Sequence, residues 1–238
     1  MRSRVYLDWN ATAPLRPEAR DAMVAALEVA GNPSSVHAEG RAAKAVMEKA
    51  RGQVAAAIGC LPDEVVFTSG STEAAQTVLA QGWDAALCSP VEHDAVAARA
   101  EPLLADPYTN APTMGRDGVF RAEFVSGFGV GPLLEAKGRD RVRPARALLA
   151  VTAANSETGV IQPYQAAFAE FKGETEVAHR FCDATQAFGK IAFSFSWADC
   201  EYACVSSHKI GGPNGVGALI VKRSTDLDPL IRGGGQEM

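Results

Sequence analysis

Six short apolar runs bounded by polar turns constrain this chain more than any other feature. They are EVVF (64–67), DAALCS (84–89), ARALLAVTAAN (145–155), VAHRFCD (177–183), EYACVSS (201–207) and VGALIVK (216–222). Continuous apolarity, without alternation, is what a strand covered on both faces requires. Helical segments lie between the runs. Pro17 opens PEARDAMVAALEVAG, which stops at Gly31, with proline at the entry and glycine at the exit. A second helix is predicted from Arg41 to Ile58 with Gly59 as its cap, and TSGSTEAAQTVLAQG reads as a turn and a third helix. The pattern predicts an α/β fold built on a mainly parallel sheet with helices on both faces. VGALIVK comes after EYACVSS with only a short Gly-rich turn between them, which predicts one antiparallel addition. Arg99 to Arg146 is the least legible stretch. It reads as loops, some extended backbone and a helix around Leu133 to Lys137, with GRDRVRPAR as a solvated charged face. No internal repeat, low-complexity tract or linker interrupts the chain, so residues 1–238 form one domain in this reading.

In open α/β sheets ligands bind beyond the carboxyl ends of the strands, so the residues just past each run matter most. After EVVF comes Thr68-Ser69-Gly70-Ser71-Thr72-Glu73. A small hydroxyl-rich turn opening a helix offers free N–H groups and the positive end of a helix dipole to a phosphate. The same residues also make an ordinary capping arrangement. No lysine follows the glycine as a P-loop needs, which argues against a nucleoside triphosphate. After DAALCS comes His93, and after ALLAVTAA come Asn155 and Ser156. Asp183 ends VAHRFCD, with Gln186 three residues on, and EYACVSS runs into Ser206, Ser207, His208 and Lys209 before a Gly-rich turn. Each is a polar strand end and nothing more when taken alone. Together they place a phosphate cradle, a carboxylate, an amide, an imidazole and one lysine along one sheet edge. That set suits pyridoxal 5'-phosphate, whose aldehyde needs an amine and whose ring nitrogen needs a carboxylate. Lys44, Lys49 and Lys172 read as solvated helix charges, whereas Lys209 follows a strand and precedes glycines.

Composition removes several function classes. Apolar residues make up 47% of the 238, enough for a core and against disorder. The net charge of −5 supplies no general field for nucleic acid. No run approaches the 18 or so apolar residues of a membrane span. MRSRVYLDWN has no apolar secretory core, and the five cysteines (Cys60, Cys88, Cys182, Cys200, Cys204) form no CxxC pair. These features predict reduced thiols and a cytoplasmic protein. Cys200, Cys204 and His208 are evenly spaced, but their segment reads as a strand entering a loop, so no metal site is expected.

The segments YLDWNATAPLRPE, GNPSSVHAEGRAA, VVFTSGSTEA, VEHDAV, NSETGVIQP, CDATQAFGKI, SSHKIGGPNGVGAL and IRGGGQE carry a resemblance. In this order and over nearly the whole chain, they resemble the class V aminotransferases of the fold-type I pyridoxal-phosphate enzymes, and among them the cysteine desulfurases. The resemblance implies a three-layer α/β/α large domain with an arm-like N-terminal segment over residues 1–15. It implies that Lys209 carries the cofactor through its amine and later moves the substrate's Cα proton. Asp183 would pair with the ring nitrogen, Gln186 with the phenolic oxygen, and His93 would lie against the ring. Gly70, Ser71, Thr72, Ser206 and His208 would surround the phosphate, with Asn155 and Ser156 beside the ring. Ser156 departs from the family pattern, which has a second asparagine there.

The family reaction takes L-cysteine to L-alanine and leaves a persulfide on an enzyme thiol, supplying sulfur for Fe–S clusters or thio-cofactors. The resemblance further implies a homodimer and a sulfur-acceptor protein as partners, with neither nucleic acid nor membrane. The family's nucleophilic cysteine loop and C-terminal small domain match nothing in these residues, since Gly233-Gly234-Gly235-Gln236-Glu237 is followed only by Met238. The expected chain is therefore a desulfurase-like large domain with impaired activity. A related lyase or aminotransferase of the same class, and a non-catalytic cofactor-binding or scaffold remnant, stay open as alternatives.

Overall fold

The structure is a computed structural model that describes residues 4–102, 113–114, 120–121, 146–172, 177–223, 225–231 and 233. The expected helix at Leu133 to Lys137 and most of GRDRVRPAR lie outside the described residues. The first helices are α1 (Pro17–Leu27) and α2 (Ala38–Ile58). Strand β1 (Val65–Thr68) leads into α3 (Ser71–Leu79), and β2 (Ala85–Cys88) into the single turn α4 (Asp94–Ala97). Short strands β3 (Glu101–Pro102), β4 (Thr113–Met114) and β5 (Phe120–Arg121) come next. Then come β6 (Arg146–Thr152), α5 (Tyr164–Phe171), β7 (Val177–Asp183), α6 (Phe195–Ala198), β8 (Tyr202–Ser206) and β9 (Gly217–Val221).

All six apolar runs become strands of one sheet, ordered β1-β9-β8-β7-β6-β2-β3. Strands β8, β7, β6, β2 and β3 are parallel, while β9 is antiparallel to both β8 and β1. The expected antiparallel strand therefore enters between two parallel ones, because the short turn after β8 leaves no length for a crossover. Residues along β6 divide strictly between two cores. Ala147, Leu149 and Val151 join Ile58, Phe168, Phe171 and Phe195 on one face. Leu148 and Ala150 join Ala74, Val78, Phe181, Tyr202 and Leu219 on the other. Both faces are dry, which is why the run carries no polar alternation. Each fully buried leucine or phenylalanine contributes about 1.5–3 kcal/mol, so the sheet is a rigid platform for what projects from its ends.

Two helix limits differ from the sequence reading. α2 begins three residues before Arg41, because the His37 side chain accepts from Gly40 N–H and caps the first turn. Its other end is as expected, with Gly59 in the left-handed region at φ 77°. α1 stops at Leu27, four residues before Gly31, with the chain turning over Glu28–Gly31. This helix buries none of its residues among the described contacts, so nothing holds its last turn in helical form.

Candidate active site

Parallel strands align their carboxyl ends, and here that edge carries a cavity of about 560 Å³. This volume is within the range of small-molecule sites. Gly70, Ser71, Thr72, His93, Ser156, Asp183, Gln186, Ser206, His208 and Lys209 all line it. Of the site residues expected from sequence, only Asn155 does not. Its Oδ1 accepts from Glu157 N–H, Thr158 N–H and the Thr158 hydroxyl, and its Nδ2 donates to Val91 O at 2.9 Å. Asn155 thus builds the turn that presents Ser156.

One wall is the N-terminus of α3, reached from β1 through Ser69 and Gly70. The start of β9 lies so close that a Cβ on Gly217 would stand 2.6 Å from Gly70 Cα. A side chain there would push the turn off the sheet. Ser71 Oγ and Thr185 Oγ1 share a hydrogen bond of 2.6 Å, which ties this wall to the loop after β7. The N–H groups of the first helical turn open on the same cavity as Ser206 and His208, a set of donors that could hold an anion.

Asp183 stands at the carboxyl end of β7 and is 8% exposed. Its Oδ1 accepts from Thr185 N–H at 2.9 Å and from the Cys204 thiol at 3.4 Å. No arginine or lysine among the described residues lies within ion-pairing distance of this carboxylate. A buried carboxylate held by neutral donors, and left without a cation, fits a ring nitrogen that binds as its protonated form. Behind it, Glu92 accepts from Thr152 N–H at 2.5 Å through Oε1, while its buried Oε2 has no partner. Burial first, and Asp183 second, push the Glu92 carboxyl up to about 8.

Lys209 follows β8 in a single 3₁₀ turn, Ser207–Lys209. Its Nζ donates to Asn10 O at 2.7 Å and Ala11 O at 2.8 Å. Burial lowers its pKa from the usual lysine value, although Asp183, Asp8 and Glu157 pull the other way. Partial desolvation raises the share of free amine, the form that attacks a carbonyl. His93 caps α4, its Nδ1 accepting from Ala95 N–H at 3.1 Å. That bond places any ring proton of neutral His93 on Nε2. His208 is also lowered, by burial and then by Lys209 and Lys190.

Several cavity residues were not among those expected from the sequence. Asn10, Ala11 and Asp8 of the N-terminal arm line the cavity, as does Thr185. The arm is fastened by Ala13 N–H to His208 O at 2.8 Å and Arg16 N–H to Gly211 O at 2.8 Å. Only the motif match of YLDWNATAP hints at this role. Glu92 and Lys190 fall within the matched segments VEHDAV and CDATQAFGKI, but the sequence assigns neither of them a role. Among the described residues no group of three potential ligands could hold a metal. No described helix is long and apolar enough to cross a membrane.

The set of amine, unpaired carboxylate, amide donor and helix N-terminus fits a cofactor with an aldehyde, a basic ring nitrogen and a phosphate. Comparisons with known proteins agree. The chain is 36% identical to a cysteine desulfurase of Frankia sp. over 98% of its own length and 57% of that protein. It is 35% identical to cysteine desulfurase IscS of Dictyoglomus turgidum, spanning 59% of it, and 34% identical to the mitochondrial cysteine desulfurase of Saccharomyces cerevisiae, spanning 46%. The chain thus spans about half to three fifths of these relatives. A solved NifS-like protein superposes with a TM-score of 0.79 at 31% identity, over 99% of this chain and 63% of that one. A NifS-like protein of Rickettsia africae gives 0.79 at 27%, over 98% and 62%. These class V enzymes depend on pyridoxal phosphate. The family model described as aminotransferase class-V matches residues 5–238, and the chain belongs to that family.

Proposed function

We propose that this chain is the cofactor-binding large domain of a cysteine desulfurase-type enzyme, with pyridoxal phosphate at the carboxyl edge of the sheet. The observation that carries this reading is that the Lys209 amine and the cation-free carboxylate of Asp183 line one cavity. Lys209 would hold the cofactor through Nζ, with Asp183 serving its ring nitrogen and Gln186 its phenolic oxygen. His93 and Ser156 would serve the ring, and Gly70, Ser71, Thr72, Ser206 and His208 would hold the phosphate. When bound, the cofactor supplies an electron sink for the pair released at the substrate's Cα. With the substrate in place, the Lys209 amine would take the Cα proton and later return it. His93 carries its proton on the nitrogen away from its cap, which suits it to exchange protons with the bound amino acid.

The proposed substrate is L-cysteine, with L-alanine and a thiol-bound sulfur as products. The acceptor must be an accessible thiolate. None of the five cysteines lines the cavity. Cys88, Cys182, Cys200 and Cys204 are buried. Burial pushes the thiols of Cys182, Cys200 and Cys204 up, and those of Cys60 and Cys88 up to about 12. The acceptor thiol is therefore supplied from outside these residues. A second copy of the chain and a sulfur-acceptor protein are the proposed partners, in a reducing, cytoplasmic setting that suits five unpaired thiols.

Borohydride reduction of the chain with pyridoxal phosphate, followed by peptide mapping, tests the first half. The label belongs on Lys209, and a label on another lysine refutes the assignment. Sulfide release from cysteine tests the second half. The 238-residue chain alone should give little or none, and turnover that depends on one of its five thiols would refute that.

A further inference from the structure

Lys190 takes no part in the cofactor contacts of the proposed site. It lies four residues after Gln186 in the turn that follows β7. Its Nζ is 2.5 Å from Gln186 Oε1 and 3.3 Å from Asn10 Oδ1. An ammonium group carries donors only, so the oxygen of the Gln186 amide must be the atom that faces it. The amide nitrogen is then turned the other way, and Nε2 donates to Asn10 O at 2.9 Å. A glutamine amide fits a pocket almost equally well either way round on shape alone. Here the ammonium on one side and the acceptor-only Asn10 carbonyl on the other together remove that freedom. Asn10 O also accepts from Lys209 Nζ, so one arm residue gathers both lysines and the glutamine. The closeness has an electrostatic cost, since burial and then the Lys209 charge lower the Lys190 pKa.

We propose that Lys190 is a positioning residue for cofactor recognition: it holds the Gln186 amide with its N–H₂ as a donor toward the cavity and so selects a ligand bearing an acceptor oxygen there. This rests on the proposed cofactor, in which that oxygen is the ring hydroxyl of pyridoxal phosphate. The lysine touches no ligand itself. It acts by fixing the direction of another side chain, and the exposed position of Lys190 makes its replacement tolerable to the fold.

The test titrates the 238-residue chain with pyridoxal phosphate and with the analogue lacking the ring hydroxyl, following the visible band and its pH midpoint. Lys190→Met should weaken pyridoxal phosphate binding about tenfold, the size of one hydrogen bond lost. It should also shift the pH midpoint and leave binding of the analogue unchanged. Lys190→Arg, which keeps the donor and the charge, should restore most of the loss. If Lys190→Met binds the cofactor as tightly as the parent, or loses both ligands equally, the positioning role is overturned while the cofactor reading stands. A parent chain that takes up neither ligand overturns both together.

Discussion

Arg180 and Asp183 stand three residues apart on β7, yet the molecule treats their charges in opposite ways. Each nitrogen of the Arg180 guanidinium has a carboxylate partner. Nη1 donates to Asp199 at 2.8 Å, Nη2 to Glu201 at 2.5 Å and Nε to Glu201 at 3.1 Å. Its side chain is 4% exposed and that of Glu201 13%, so these charges are traded against each other in a nearly dry place. Asp199 accepts a left-handed backbone, φ 49°, in the turn that presents this bond. At the carboxyl end of the same strand, Asp183 has hydrogen bonds but no cation, Glu92 keeps an unpartnered oxygen, and two lysines crowd around Asn10. Paired charges brace the sheet below the site. Above it, charges are left incomplete, as clefts that take ligands leave them.

That contrast can be broken from either side. The largest effect should come from Lys209→Ala, which should abolish reducible attachment of pyridoxal phosphate while leaving the urea midpoint of the chain nearly unchanged. A large loss of stability instead would make Lys209 a structural residue. Arg180→Met should do the reverse. It strands a largely buried Glu201 carboxylate, so urea unfolding should report a loss of about 3 kcal/mol, with cofactor affinity changed little in the protein that remains folded.

Glu92 gives the pH-dependent member of the series. Its carboxyl is raised in the folded chain to about 8, from a usual value near 4.5. Between those values the folded state binds more protons than the unfolded one, so stability falls as pH rises through this window. The slope should flatten in Glu92→Gln, and the parent should regain on the order of 3 kcal/mol at the acid end of the window relative to pH 8. Identical pH profiles for parent and variant would show that Glu92 ionises freely. The smallest effect should come from Cys204→Ser. The buried thiol donates to Asp183 Oδ1, and a hydroxyl can do the same, so cofactor affinity should change less than about threefold. Cys204→Ala, which leaves that oxygen with Thr185 N–H alone, should lose more than the serine variant.

Legibility in the sequence tracks the range of the forces involved. Every apolar run became a strand, because burial on both faces demands continuous apolar residues and little else imitates that over four to seven positions. Helix ends were less legible. His37 caps α2 although histidine is a weak capping signal, and α1 ends where it lacks partners, not where glycine would stop it. The cavity-lining residues after strands were legible because strand ends are where parallel sheets open clefts. Asn155 shows the limit of that rule: it comes after a strand, but its hydrogen bonds hold a turn.

From its sequence alone this chain was bound to form a mainly parallel sheet with polar strand ends, and its motifs named the family and put forward a lysine and a carboxylate for the proposed cofactor site. Hydrophobic pattern and local turn chemistry are properties of neighbours in the chain, so they can be read without coordinates. Only the tertiary structure decided that Asn10 meets Gln186 and Lys209 across 176 and 199 residues, that Lys190 turns the Gln186 amide, and that Glu92 is buried behind Asp183. These depend on distance, orientation and desolvation, which arise only when remote segments are packed against one another.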